Sequence, residues 1–107
     1  MPNPDNITID PAATLPFTPQ NSSASAGGTV SFTTSATTSV NTYTKNSNGQ
    51  WVLTPVFQGK TSTVSVPQGT LPALTLDSSV QGMVGIGITS QSGVNGTINV
   101  GGTGGDD

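Results

Sequence analysis

Apolar and polar residues alternate in short runs along most of this chain. Turn-forming residues interrupt the alternation about every 8–12 residues, a rhythm that predicts a β-sandwich or barrel. After an extended, proline-containing lead-in, Ile7-Thr8-Ile9 reads as a first short strand closed by Asp10-Pro11, and Leu15-Pro16-Phe17 as an edge piece. Gln20 to Gly28 reads as a Ser/Ala/Gly-rich loop. From Thr29 to Ala36, Val30, Phe32, Thr34 and Ala36 share one face of a strand. Val40 to Lys45 is a second strand, with Tyr43 and Val40 on opposite faces. Asn46-Ser47-Asn48-Gly49 is the strongest turn signal, its Asn-Gly pair suited to positive φ. Gln50 to Phe57 returns with apolar residues on both faces, which predicts a central or covered strand. Further strands are predicted over Thr61–Val66, Leu71–Leu76, Gly82–Ser90 and Asn95–Val100.

These elements predict an all-β fold: a single antiparallel β-sandwich of about seven strands over 20–100. Residues 1–19 are expected to form an extended arm or edge strand, and 101–107 a flexible, acidic, glycine-rich tail. Composition sharpens this. Apolar residues make up 31% of the 107, below the usual 45–50% of a globular domain. Thr, Ser, Gly and Asn take their place, and these are residues of half-wet sheets and turns. Lys45 and Lys60 are the only basic residues, and there is no Glu. Long helices, whose wet faces draw on Glu, Lys and Arg, are not expected.

From Ala26 to Val100 the order of features resembles an immunoglobulin-like Greek-key sandwich. Gly27-Gly28-Thr29-Val30-Ser31-Phe32 is similar to the entry of a B strand, and Val40 to Val56 to a C–C′ hairpin. Leu74-Thr75-Leu76 followed by Gln81-Gly82-Met83-Val84-Gly85-Ile86 resembles E running into F. Ser92-Gly93 and Gly96-Thr97-Ile98-Asn99-Val100 resemble the F–G turn and the G strand. The sequence departs from the family at its paired cysteines, which are absent: Gly85 falls about where the second would stand, and Met83 where the corner tyrosine would. The resemblance is to a cysteine-free bacterial or phage type of module. Cupredoxin-like and jelly-roll sandwiches fit the same pattern.

The chemistry available is narrow. Without His or Cys, a Ser-His-Asp or Cys-His nucleophile cannot be assembled, nor the usual zinc and copper donor sets. Five acidic residues, Asp5, Asp10, Asp77, Asp106 and Asp107, and two lysines are poor material for tuned acid–base catalysis. The expectation is therefore no enzyme and no cofactor. Calcium could use those carboxylates, but Asp10 and Asp77 read better as turn formers. Two lysines cannot neutralise many phosphates, so nucleic acid is not an expected partner. No apolar run approaches a membrane span.

Three groups of residues are candidates for contact with a partner. Tyr43 and Trp51 flank the Asn46–Gly49 turn. With Asn46, Asn48 and Gln50 they offer aromatic planes beside amide groups, as a sugar-binding surface needs; alternatively the rings belong to the core. Gly85 and Gly87 share a strand face. They either bare the backbone to a partner or are covered by Tyr43 or Trp51 from a neighbouring strand. Leu15, Pro16 and Phe17 could serve as an assembly arm that packs on a neighbour.

Met1 to Asp10 lacks the positive end and apolar stretch of a secretory signal. A Ser/Thr/Gly/Asn-rich surface suits work outside the cell, and a signal-free start at Met1 suits synthesis in the cytosol. Phage structural proteins meet both conditions. The expectation is a non-enzymatic structural or assembly module of a virion or extracellular surface (a decoration, fibre or filament-type domain) that self-associates or binds a capsid or fibre neighbour. The alternative is a carbohydrate-binding module or small lectin.

Overall fold

The computed structural model describes residues 5–18, 20–70, 73–91 and 93–101. They form eleven strands and no helix: β1 (Asp5–Ile9), β2 (Phe17–Thr18), β3 (Asn21–Ala24), β4 (Thr29–Thr34), β5 (Thr38–Lys45), β6 (Trp51–Leu53), β7 (Thr63–Val66), β8 (Gly69–Thr70), β9 (Leu74–Thr75), β10 (Gly82–Ile88) and β11 (Gly96–Val100). The first sheet runs β2-β1-β4, with β8 and β9 both pairing along β4. The second runs β3-β11-β10-β5, with β6 and β7 sharing β5.

The alternation read from the sequence sets the inner faces. Val30 and Phe32 of β4, Val40 of β5, Val84, Ile86 and Ile88 of β10, and Ile98 and Val100 of β11 are all buried between the sheets. Phe32 and Phe57 meet edge to face, with ring centroids 6.1 Å apart and planes at 89°, the arrangement aromatic quadrupoles favour. Inward threonines complete the layer by bonding to nearby carbonyls. Thr42 Oγ1 donates to the Thr54 carbonyl at 2.6 Å, and Thr34 Oγ1 to that of Ala36 at 2.6 Å.

The all-β sandwich is as expected, and the details differ in four places. First, the pairing is not wholly antiparallel: β1 lies parallel to β4, and β3 parallel to β11. One pair arises within the first sheet. The other arises because the chain leaves β2 and crosses to the second sheet, so that its early part flanks its last strand. Second, the segment read as the loop 20–28 contains β3. This strand carries Ser22 and Ala24 inward, beside Ile98 and Val100, and without large apolar residues it has no periodic signal. Third, Gln50 to Phe57 is not a covered central strand. Trp51–Leu53 pairs with β5 at an edge, and Phe57 makes a single antiparallel bridge to Leu76. Thr54 and Pro55 then carry the chain inward so that Val56 and Phe57 enter the core. Fourth, β1 and β2 belong to the sandwich. β1 sits between β2 and β4, with Ile7 and Ile9 fully buried. With β3 and the two-residue β8, this brings the count to eleven where about seven are expected. Of the predicted tail at 101–107, residues 102–107 lie outside the described residues, as do the first four residues.

Candidate interaction surface

The outer face of the second sheet is where most of the candidate residues meet. Strand pairing fixes the neighbours: Gly85 lies between Thr97 and Tyr43, Tyr43 beside Leu53, and Lys45 beside Trp51. Because successive residues point to opposite faces, Tyr43, Lys45, Trp51, Leu53, Met83, Gly85 and Gly87 all belong to this one outer face.

Trp51 does not stand out from the sheet. A Cβ placed on Gly85 would lie 3.1 Å from two carbons of the indole and 2.8 Å from Val94 Cγ2. The indole therefore reaches back across β5 to cover Gly85. The Lys45 ammonium stands 5.0 Å from the indole ring centroid, within cation–π range. Gly87 has a different neighbour. A Cβ there would overlap the Gly93 carbonyl oxygen and lie 3.2 Å from Asn95 Oδ1. The loop before β11 folds onto β10 at this point: Asn95 N–H donates to the Ile86 carbonyl at 2.7 Å, and Ile88 N–H donates to Asn95 Oδ1 at 3.0 Å. Both glycines are thus buried by this chain's own residues.

The Asn46–Gln50 turn is held by one side chain. Asn46 Oδ1 accepts from the N–H groups of Asn48 at 2.9 Å and Gln50 at 3.0 Å. The Gly49 N–H donates to the Asn46 carbonyl at 2.9 Å. Of the Asn48-Gly49 pair, only Gly49 has positive φ, at 77°. This is a three-residue hairpin loop closed by a left-handed glycine. The Asn46 carboxamide oxygen is thereby committed to the turn, while Asn48 and Gln50 are exposed at its tip.

The face leaves both polar and apolar groups uncovered: Lys45 and Asn99 are exposed on it, and so are large apolar side chains at and around β6. Leu53 is 53% exposed, Met83 45% and Val52 44%. Tyr43 and Trp51 are half-buried beside them. The exposure of Leu53 and Val52 follows from the edge position of β6, which the apolar residues on both faces of Gln50 to Phe57 conceal. Pro55 is the one residue in that run that signals the break.

The other candidates lie elsewhere. Phe17 and Pro16 are buried in this chain's own core, with Phe17 packed over Gly96, and only Leu15 of the three is exposed. Asp10 and Asp77 are at opposite ends of the sandwich. Asp10 follows the Ile9–Thr34 pairing at one end of β4, while the Leu76 N–H donates to Gly28 at the other. Each carboxylate closes its own turn. Asp10 Oδ1 accepts from Ala12 N–H at 3.1 Å, and Asp77 Oδ1 from the Ser79 N–H at 3.0 Å and hydroxyl at 2.8 Å. The backbone and hydroxyl bonds from Ser79 hold the Asp77 carboxyl below the usual aspartate range, against a small opposing effect of desolvation. Among the described residues no three acidic groups come together as a cation site would require.

No protein-family model matches this sequence, and no curated protein matches it. Among solved structures, the chain is similar to the "Novel Purple Cupredoxin from Nitrosopumilus maritimus", with a TM-score of 0.56 and 16% identity over 90% of this chain and 98% of that one. The likeness is one of fold. A blue-copper centre draws on two histidines and a cysteine thiolate with a weak axial ligand. With no His and no Cys in the sequence, the residues of this chain do not fit that centre.

Proposed function

We propose that this domain is a non-enzymatic assembly module, a cysteine-free immunoglobulin- or cupredoxin-like sandwich that works by protein contact at a virion or extracellular surface. The observation that carries the reading is the placement of Leu53, Val52 and Met83. In a chain short of apolar residues, Leu53 and Met83 are left exposed on the outer face of the second sheet, and Val52 on the opposite face of β6. Large apolar side chains left exposed about one sheet edge are material for a contact surface. The absence of His, Glu, Cys and Arg leaves little from which a tuned catalytic group could be made.

Glycan binding has less support. A sugar stacking on Trp51 would have to displace Lys45 from the ring, and Asn46 is occupied by its own turn. Sedimentation equilibrium of the full chain tests the assembly reading. The weight-average mass should rise above 10.7 kDa as concentration increases from micromolar to millimolar. A constant mass, together with a glycan-dependent change in the fluorescence of the single tryptophan, would favour the lectin reading instead.

A further inference from the structure

We infer that the open edge of β6 pairs antiparallel with the same strand of a second copy of this chain; the inference rests on the assembly reading above. The Thr54 N–H donates to the Thr42 carbonyl at 2.9 Å, and the Gln50 carbonyl accepts from Asn46 N–H at 2.9 Å. Backbone polar groups alternate in direction along an antiparallel strand. Gln50, Val52 and Thr54 therefore address β5, while the N–H and C=O of Trp51 and Leu53 point the other way. Among the described residues no strand pairs with β6 on that side.

The remaining edges carry features that discourage such pairing. Two-residue β2 is bracketed in sequence by Pro16 and Pro19. β7 is followed directly by Pro67, and β8 and β9, which pair only with β4, are two residues each. β3 presents Asn21, Ser22 and Ser23. Short length, proline and polar side chains are the usual means of blunting an edge. β6 has no charge and no proline within it, and its Val52 and Leu53 are exposed on opposite faces.

The strand is also self-complementary. A two-fold axis at Val52 sets Trp51 opposite Leu53 of the second copy on one face, and Val52 against Val52 on the other. Both Trp51–Leu53 pairs exchange N–H···O bonds. Charge does not oppose the pairing at close range. From strand spacing and rise, the two Lys45 positions would lie about 16 Å apart, beyond the ~8 Å screening length at physiological ionic strength. Three residues bury less than the roughly 1,200 Å² of a standard interface, so the dimer should dissociate on dilution.

Sedimentation equilibrium and amide exchange on the full 107-residue chain test this. The mass should climb from 10.7 kDa toward twice that value. Exchange at Trp51 and Leu53 should slow with concentration, while Val52 and Thr54, already bonded to β5, stay unchanged. Leu53→Pro removes an outward N–H that β5 does not use, replaces an exposed side chain and fixes φ at an edge position that tolerates proline, and should hold the mass at the monomer value with a cooperative thermal transition retained. Leu53→Lys keeps the N–H, places a charge on the edge, and should weaken association at least tenfold. A rising mass with unchanged exchange at Trp51 and Leu53, or unaffected by both variants, overturns the edge pairing and leaves assembly through another surface. A mass that stays at the monomer value throughout overturns the pairing and self-assembly together.

Discussion

Gly85 and Gly87 stand two residues apart on one strand face, yet substituting them should have different consequences. At Gly85 an alanine methyl meets Val94 Cγ2 at 2.8 Å and the indole of Trp51 at 3.1 Å. Both are side chains and can move aside, the indole by lifting off the sheet. At Gly87 the methyl meets the Gly93 carbonyl, which is backbone and cannot move without loosening the loop before β11. Gly85→Ala should cost about 1–3 kcal/mol, as overpacking usually does, and should change the Trp51 emission maximum. Gly87→Ala should cost more and leave the emission nearly unaltered. Urea titration followed by fluorescence and circular dichroism checks both, and equal costs would argue against this division. Asp77 provides a second test at the residue scale. Its folded pKa is lowered by the bonds from Ser79, so its stabilisation is fully present above the unfolded-state value of about 3.9 and is lost as pH falls through the folded value. Asp77→Asn should therefore lower the urea midpoint slightly at pH 7, and by less at pH 2. A difference of the same size at both pH values would mean that ionisation is not the cause.

β3 shows where sequence reading stops working for this protein. Val30, Phe32, Val84, Ile86, Ile88, Ile98 and Val100 alternate cleanly, and the sequence assigns them to buried faces without help from coordinates. Asn21–Ala24 forms a strand as well, but its inward residues are Ser22 and Ala24, which have no hydrophobic signature to read. Its place is set by tertiary pairing with β11, including the bond from Thr97 Oγ1 to Asn21 Oδ1 at 2.6 Å. The same limit applies to β6. Apolar residues on both faces are compatible with a covered strand or with an exposed edge, and only the inward path of Val56 and Phe57 decides between them. The candidate surface was legible in part for this reason. Trp51 covering a strand glycine can be anticipated from residue sizes, whereas the loop before β11 closing over Gly87 depends on long-range geometry. β3 also carries a local defect: Ser22 Oγ is buried with no hydrogen-bond partner. A buried unsatisfied hydroxyl costs about 1–3 kcal/mol. Ser22→Ala removes it without adding volume, and should leave the melting temperature unchanged or raise it. A clear fall in melting temperature would show that the hydroxyl has a partner in solution.

Taken whole, the sandwich is closed by contacts between residues far apart in sequence. Thr97 bonds to Asn21 across 76 positions, and the Gln91 side chain bonds to the Ala13 carbonyl across 78. Loop-closure entropy has to be met before such contacts form, and all-β domains dominated by them fold in milliseconds to seconds. Within that scheme the β3–β11 pairing should form late, because it joins distant segments through a polar strand that buries little apolar surface. Refolding followed by Trp51 fluorescence should therefore show a main phase in the millisecond-to-second range. The eight prolines should add a minor phase of tens to hundreds of seconds, from cis X–Pro bonds in the unfolded chain, which a prolyl isomerase should accelerate. Asn21→Ala, which removes the bond to Thr97, should speed unfolding and leave the main folding rate nearly constant, as expected where native contacts are absent from the transition state. Ile86→Val, at the centre of β10 between β5 and β11, should instead slow folding, because that pairing is where the second sheet can begin. If Asn21→Ala slows folding in proportion to the stability it removes, the order is reversed: the first-crossing strand would then be part of the nucleus, and the parallel pair would organise the sheet rather than complete it.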